Sequence, residues 1–296
     1  MMIEKIVLLS GPTATGKSSL AIKLAEKIDG EIINADSIQL YRDLFILTAR
    51  PDIGKEKIKH HCYGFLDGDI NWSVGKWIHE INEILKDVIK RKKVPIIVGG
   101  TGLYFKAVTD GLSPIPDIDK SIRLKIENEL EKNGLEKLQK RLFLIDPKAS
   151  KKINPNDRQR IMRALEVYEG TNKKISDFWL MNREKIINYK SINFKIDADR
   201  EWIYKNCDLR VDYMFENGVI EEVRRLLNKN YSKNSPIMKA IGVDEITSFL
   251  NNDITFDRAL DLIKFKTHQY AKRQITWINN QMISWNSINT QYSNKI

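Results

Sequence analysis

Cysteine is nearly absent from this chain: only Cys62 and Cys207 occur in 296 residues. That excludes a disulfide framework and points to a reducing compartment, so a cytoplasmic protein is expected. Histidine is as sparse, with four in all. His60 and His61 sit beside Cys62, but no second Cys/His pair stands at zinc-ligand spacing, which argues against a structural metal site. No apolar run approaches the roughly 20 residues that span a bilayer. Met1-Met2-Ile3-Glu4-Lys5 leads straight into a strand, without the apolar core of a secretory leader. No membrane association is expected. There is no internal repeat. The six tryptophans are scattered, which suits packing better than a base-stacking platform.

Acidic residues are also in deficit. Lys and Arg number 49 against 39 Asp and Glu, a formal net charge of +10. Such a balance favours a polyanionic partner such as nucleic acid, although a generally basic proteome would produce it too. The excess is uneven. Residues 113–190 hold 18 basic and 12 acidic residues, six of the ten excess charges in about a quarter of the chain. Within them, 148–163 is the richest stretch, with Lys148, Lys151, Lys152, Arg158, Arg160 and Arg163 against Asp157 alone. On a helix over 156–169, Arg160 and Arg163 lie on neighbouring turns, and Gln159 and Arg163 align at i, i+4. That face could contact phosphates and bases. A solvated helix surface has the same pattern.

Against these absences stands one full motif. Gly11-Pro12-Thr13-Ala14-Thr15-Gly16-Lys17-Ser18 matches the P-loop pattern G-x-x-x-x-G-K-[ST]. It follows the apolar run Ile6-Val7-Leu8-Leu9, read as a buried strand, and precedes Leu20, Leu24 and Ile28 at helical spacing. The glycines let the backbone amides turn inward, the helix N-terminus adds a positive dipole end, and Lys17 adds a point charge. The Ser18 hydroxyl is a candidate Mg2+ ligand. The site should bind a di- or triphosphate. Two further turns share its chemistry. Asn34-Ala35-Asp36-Ser37-Ile38-Gln39 follows a second strand, and Gly99-Gly100-Thr101-Gly102 follows a third, Pro95-Ile96-Ile97-Val98. In parallel sheets such strand ends meet along one crevice. Asp36 is a candidate general base or metal ligand there, with a helix N-cap as the alternative. The third strand ends in Gly-Gly-Thr where nucleotide-hydrolysing P-loop proteins usually carry an Mg2+-holding Asp. The loop is therefore expected to hold a diphosphate without hydrolysing ATP.

The alternation of strands and helices predicts an α/β fold, a P-loop NTPase-like parallel-sheet core with an inserted all-helical domain. Expected strands are 6–10, 31–35, 95–98 and 191–196, with helices 17–29, 74–92, 103–111, 200–217, 219–229, 243–251 and 256–281. The core is assigned to 1–112 and 191–282 and the insertion to 113–190. The polar, Asn/Ser-rich stretch 283–296 is expected to fray.

Taken together, the motifs resemble those of the tRNA dimethylallyltransferases, the IPP transferase family. The carrying segments are the P-loop, 34–39, Val98-Gly99-Gly100-Thr101-Gly102-Leu103-Tyr104, Asn156 to Tyr168, Ala240-Ile241-Gly242 and Tyr270-Ala271-Lys272-Arg273-Gln274-Ile275-Thr276-Trp277. They span the chain nearly end to end. The resemblance implies transfer of a dimethylallyl group from dimethylallyl diphosphate to N6 of adenosine 37, beside the anticodon of tRNAs reading codons that begin with U. It implies Asp36 as the base, Lys17 and Thr101 at the diphosphate, and Ser18 and Thr101 near Mg2+. It also implies tRNA contacts from Asp36, Ser37, Ile38, Gln39, Thr101, Arg123, Gln159, Arg160, Ile161, Met162 and Arg163, with the insertion gripping the anticodon stem-loop. A monomer is expected. Departures from the family pattern are Cys62, Asn172, Val243-Asp244 and Asn279. Two other readings share parts of this pattern: a nucleotide or small-molecule kinase, and an ATP-switched RNA-binding protein.

Overall fold

The computed structural model describes residues 5–54 and 57–291. The chain divides into two compact units, residues 1–109 with 186–296 and residues 110–185. In the first unit six strands form one parallel sheet: β1 (Lys5–Ser10), β2 (Gly30–Asn34), β3 (His60–His61), β4 (Val94–Gly99), β5 (Lys190–Asp197) and β6 (Asn286–Asn289). Their order is β3-β2-β4-β1-β5-β6. Ile6, Leu8, Leu9, Ile32, Ile33, Ile96 and Ile97 are all buried, as continuous apolar runs must be when helices cover both faces of a sheet.

The covering helices are α1 (Lys17–Ile28), α2 (Val74–Lys90) and α3 (Gly102–Asp110). In α2, Trp77, Ile78, Ile81, Leu85 and Val88 make one buried stripe, and Ser73 caps its N-terminus by accepting from the Lys76 amide. The second unit is helical: α4 (Lys120–Ile145), α5 (Pro147–Lys152), α6 (Arg158–Thr171) and α7 (Ile175–Phe178). The chain then returns through β5 to α8 (Arg200–Glu216), α9 (Val219–Leu227), α10 (Val243–Leu250) and α11 (Phe256–Gln281) of the first unit.

Two strands escape the sequence patterns. β3 is two residues long and is held by a side-chain contact: His61 Nε2 lies 2.7 Å from Oε2 of the buried Glu31. Arg91 completes the cluster by binding both oxygens of Glu31. These contacts hold the Glu31 carboxyl down at about 2 against the upward pull of its burial. β6 corrects the expectation of a frayed tail over 283–296. Its polar Asn-Ser-Ile-Asn sequence carries no strand signal, but buried Trp285, set edge-on to Phe105 at 5.6 Å, anchors it beside β5. Residues 292–296 lie outside the described residues.

The helical unit closes on itself at its neck, where Leu112 and Glu184 exchange backbone hydrogen bonds of 3.0 and 2.9 Å. This sets its boundaries at 110 and 185, against the expected 113 and 190. Its core is built from Ile126, Leu138, Leu142, Ile161 and Leu165. Asn172 ends α6 at φ 55°, a left-handed position that asparagine accepts almost as readily as glycine.

The sheet geometry decides where the strand ends meet. β4 lies between β1 and β2, with Ser10 opposite Gly99 and Asn34 opposite Val98. A Cβ at Gly99 would stand 2.2 Å from the Ala35 carbonyl carbon and oxygen. Backbone cannot yield there as a side chain could, so Gly99→Ala is expected to destabilise the fold by about 3 kcal/mol. Urea denaturation would measure it; a loss below about 0.5 kcal/mol would show that the β4 turn relaxes freely.

Candidate active site

The P-loop between β1 and α1 is held by its own side chains. The Thr15 hydroxyl donates to the Pro12 carbonyl at 2.8 Å, and Lys17 Nζ donates to the same oxygen at 3.2 Å. Ala14 and Gly16 take positive φ, 61° and 75°, which curls the loop. Gly16 is the N-cap of α1 and no side chain caps that helix, so the first-turn amides are left for an anion. The Gly11 amide donates to the Gly99 carbonyl at 3.3 Å, tying the loop to the β4 turn.

The β2 turn is fixed from beneath by Asn34, fully buried. Its side-chain oxygen accepts from the Asp36 amide at 2.8 Å, and its nitrogen donates to the carbonyls of Asp36 and Cys62 at 3.0 and 2.9 Å. Trp77 Nε1 donates to the Asn34 carbonyl at 3.0 Å. Asp36 is thereby presented at the crevice, with one carboxylate oxygen accepting from the Ile38 amide at 3.2 Å. Thr101 closes the third side. Its amide donates to the Ala35 carbonyl at 3.1 Å, and its hydroxyl oxygen accepts from the Ser37 amide at 3.0 Å. The P-loop, Asp36 and Thr101, singled out from sequence, thus share one edge of the sheet.

A cavity of about 460 Å3 opens beside them. Thr13, Asp36, Ser37 and Ile38 line one part, and Arg210 of α8 with Tyr270 and Arg273 of α11 line another. Leu47, Trp72, Val211, Met214, Ile241 and Ile263 add apolar surface, among the polar side chains of Thr48, Asn71, Lys239 and Thr267. The cavity beside the P-loop therefore brings together two arginines, a single carboxylate and apolar side chains. Burial pushes the Lys17 ammonium down to about 8, with Asp36 opposing and Arg210 reinforcing the shift. Tyr270 is driven up by burial and by Asp36, so its phenol stays protonated. Arg210 donates through Nη1 to the Thr13 hydroxyl.

Several of these groups gave no sequence signal. Arg210 stands in an ordinary helical stretch, and only the fold turns it toward the P-loop. Gln274 belongs to the quoted Tyr270–Trp277 segment, yet nothing in that segment revealed its bridge between loops. Glu222 of α9 is buried and accepts the amides of Phe45, Ile46 and Leu47 at 2.7, 2.8 and 2.8 Å, which fixes the cavity wall at Leu47 and Thr48. Gln39 serves that wall too, donating to the Thr48 carbonyl at 2.9 Å.

Arg158, Gln159, Arg160 and Arg163 are exposed along α6. Ile161 and Met162, expected among the tRNA contacts, are not: they are 1% and 4% exposed and pack in the unit's core. A five-residue stretch of helix cannot present every side chain to one side. Arg123 and Arg163 each face the buried Glu166, at 3.4 and 3.2 Å, so part of the basic charge is held by internal pairing.

The depressed Lys17 gives two opposite pH trends. The unfolded chain keeps this proton to about 10.5 and the folded chain only to about 8, so between those values stability rises with pH. Anion binding requires the charged form and should weaken over the same range. Thermal melts and calorimetric titration with inorganic pyrophosphate between pH 7 and 9 should show diverging slopes, and Lys17→Met should flatten both. Parallel slopes would remove Lys17 from the cradle.

Comparison with known proteins agrees with this geometry. The model of the IPP transferase family matches residues 39–281. A tRNA dimethylallyltransferase of Pelagibacter ubique is 44% identical over 95% of this chain and 90% of its own length. The crystal structure of a tRNA isopentenylpyrophosphate transferase from Bacillus halodurans superposes with a TM-score of 0.70 at 30% identity, covering 97% of this chain and 90% of that one. A eukaryotic dimethylallyltransferase acting on tRNA gives 0.81 at 30% identity, covering 97% and 74%. With a P-loop, a carboxylate and a Gly-Gly-Thr turn on one sheet edge, and with relatives alike over nearly its whole length, the chain belongs to the IPP transferase family of tRNA dimethylallyltransferases.

Proposed function

We propose that this protein transfers a dimethylallyl group from dimethylallyl diphosphate to N6 of adenosine 37 in the anticodon loop of tRNAs reading codons that begin with U. The observation that carries the reading is Asp36, the single carboxylate lining a cavity that opens beside the P-loop and also carries arginines and apolar side chains. An exocyclic adenine amine is a poor nucleophile because its lone pair is delocalised into the ring. The Asp36 carboxylate takes the N6 proton as the new N6–C1 bond forms. The C1–O bond breaks, and its electron pair leaves with the diphosphate. Lys17, the P-loop amides and Arg210 receive that growing negative charge. Leu47, Met214 and Ile263 offer a dry wall for the prenyl tail. The adenine must leave its stack to reach Asp36, at a cost of only a few kcal/mol for an unpaired base.

The donor groups suit Mg2+ that is bound mainly through substrate. Among the described residues no group of three His, Cys, Asp or Glu side chains could hold a metal ion. The crevice instead offers the hydroxyls of Ser18 and Thr101 and the carboxylate of Asp36, all hard oxygen ligands. Ser18 and Thr101 would hold the ion, whose chemistry is charge neutralisation on the leaving diphosphate. A phosphoryl-transfer reading is weaker, because β4 runs into Gly99 and Gly100 where that chemistry wants a carboxylate. Two free, buried cysteines support work in the reducing cytoplasm, and the protein is read as a monomer. No helix among the described residues is long and apolar enough to cross a membrane.

Asp36→Asn keeps the shape and the acceptor for the Ile38 amide while losing the base. Single-turnover prenylation should slow by about 10²–10⁴-fold, with dimethylallyl diphosphate affinity little changed. A rate within threefold of the parent would sink the assignment; nucleoside mass spectrometry of the product tRNA identifies the modified atom.

In the helical unit, Arg158 and Arg160 are the pair to remove, because Arg163 also steadies Glu166. Each lost phosphate contact should lower the slope of log Kd against log salt by about one. Arg158→Ala with Arg160→Ala should weaken tRNA binding and flatten that slope by about two, leaving pyrophosphate binding intact. An unchanged slope in titrations of labelled tRNA would make the cluster a solvated surface.

A further inference from the structure

Gln274 occupies an unusual position for a residue in the middle of a long helix. It is 5% exposed, and both ends of its amide are used by backbone of two different loops. Its oxygen accepts from the Thr13 amide at 2.8 Å, 261 residues away in sequence. Its nitrogen donates to the Gly100 carbonyl at 3.0 Å. The fit is tight. A Cβ on Gly100 would come within 2.1 Å of Gln274 Nε2, whereas its next neighbours, Gln274 Cδ and the Gly11 carbonyl oxygen, stand at 3.3 and 3.4 Å. Gly100 is not a positive-φ glycine, so what a side chain there would meet is the Gln274 amide, which would have to leave its two partners.

We propose that Gln274 is a positioning residue that locks the P-loop and the Gly99–Gly102 turn into one preformed diphosphate cradle, and that Gly100 is glycine in order to admit it. The inference rests on the diphosphate-donor reading above. Lys17 and the P-loop amides sit on one side of the lock and Thr101 on the other, and beyond the backbone bond from Gly11 to Gly99 it is this amide that fixes their relative placement. Asparagine is one methylene too short to span both partners from the same Cα. Glutamate keeps the acceptor toward Thr13 but sets a carboxylate oxygen against the Gly100 carbonyl. Glutamine alone of these carries donor and acceptor at the required reach. Fixing the donors before the anion arrives spares the ordering that a floppy loop would undergo on binding.

A double-mutant cycle tests the lock, read in affinity for inorganic pyrophosphate with the full-length protein. Gln274→Ala should weaken pyrophosphate binding about tenfold. Gly100→Ala should weaken it comparably, because the new methyl expels the amide. In the Gln274→Ala background the methyl meets nothing closer than ordinary contact, so Gly100→Ala should add less than about twofold. Losses that multiply to about a hundredfold would overturn the proposal, as would unchanged affinity in Gln274→Ala. If Gln274→Ala does not fold, Gln274→Glu replaces it, with weaker pyrophosphate binding and unchanged tRNA affinity expected; equal loss of both would mark the residue as merely structural and overturn the lock. In turnover, KM for dimethylallyl diphosphate should rise much more than kcat falls. Failure of the parent protein to prenylate tRNA would refute the donor reading, while the pyrophosphate cycle would still decide the lock by itself.

Discussion

The site depends on how closely β4 and β2 can approach at their carboxyl ends. Gly99 lies against the Ala35 carbonyl, and the backbone bond from Thr101 to Ala35 fixes the turn that follows. With β1 on the other side of β4, the P-loop, Asp36 and Thr101 reach the same edge. No side chain brings these turns together; the missing Cβ at Gly99 and the register of three strands do. Side chains then hold what the backbone has assembled, with Asn34 beneath Asp36 and Gln274 between the two glycine turns.

Electrostatics and stability pull in opposite directions here. Withdrawing Lys17 from water next to Arg210 disfavours its charge, and the free protein tolerates this because Asp36 is near. An arriving diphosphate relieves the same repulsion. The same cavity also carries Leu47, Met214 and Ile263, and cations beside apolar side chains suit a substrate with an anionic head and a hydrocarbon tail.

The distribution of positive charge needs a similar distinction. The excess over residues 113–190 is real, yet net charge overstates what a polyanion can meet. Arg141 is bound to Glu129 and Glu169, and Arg123 and Arg163 answer the buried Glu166. What remains open to solvent on α6 is chiefly Arg158, Gln159 and Arg160, the last only loosely held by Asp157 at 3.3 Å. Internal pairing builds the unit, and the surplus is left for contact.

The sequence by itself determined what depends on neighbours along the chain. The P-loop curl, the helical stripe of α2, the strands β1, β2, β4 and β5 and the turns at Asp36 and Thr101 are local patterns with a fixed period or a fixed backbone demand. It determined the helical character of the insertion for the same reason. Only the tertiary structure decided what depends on partners distant in sequence. β6 is a strand because Trp285 finds Phe105 and the β5 edge, not because Asn-Ser-Ile-Asn prefers one. Ile161 and Met162 fall in the core although their neighbours face solvent, because the helix orients itself by the whole apolar stripe. Arg210, Glu222 and Gln274 act across 197, 175 to 177 and 174 to 261 residues. No local pattern can register such contacts: each is one polar residue in an ordinary helix until the fold supplies the backbone groups it satisfies.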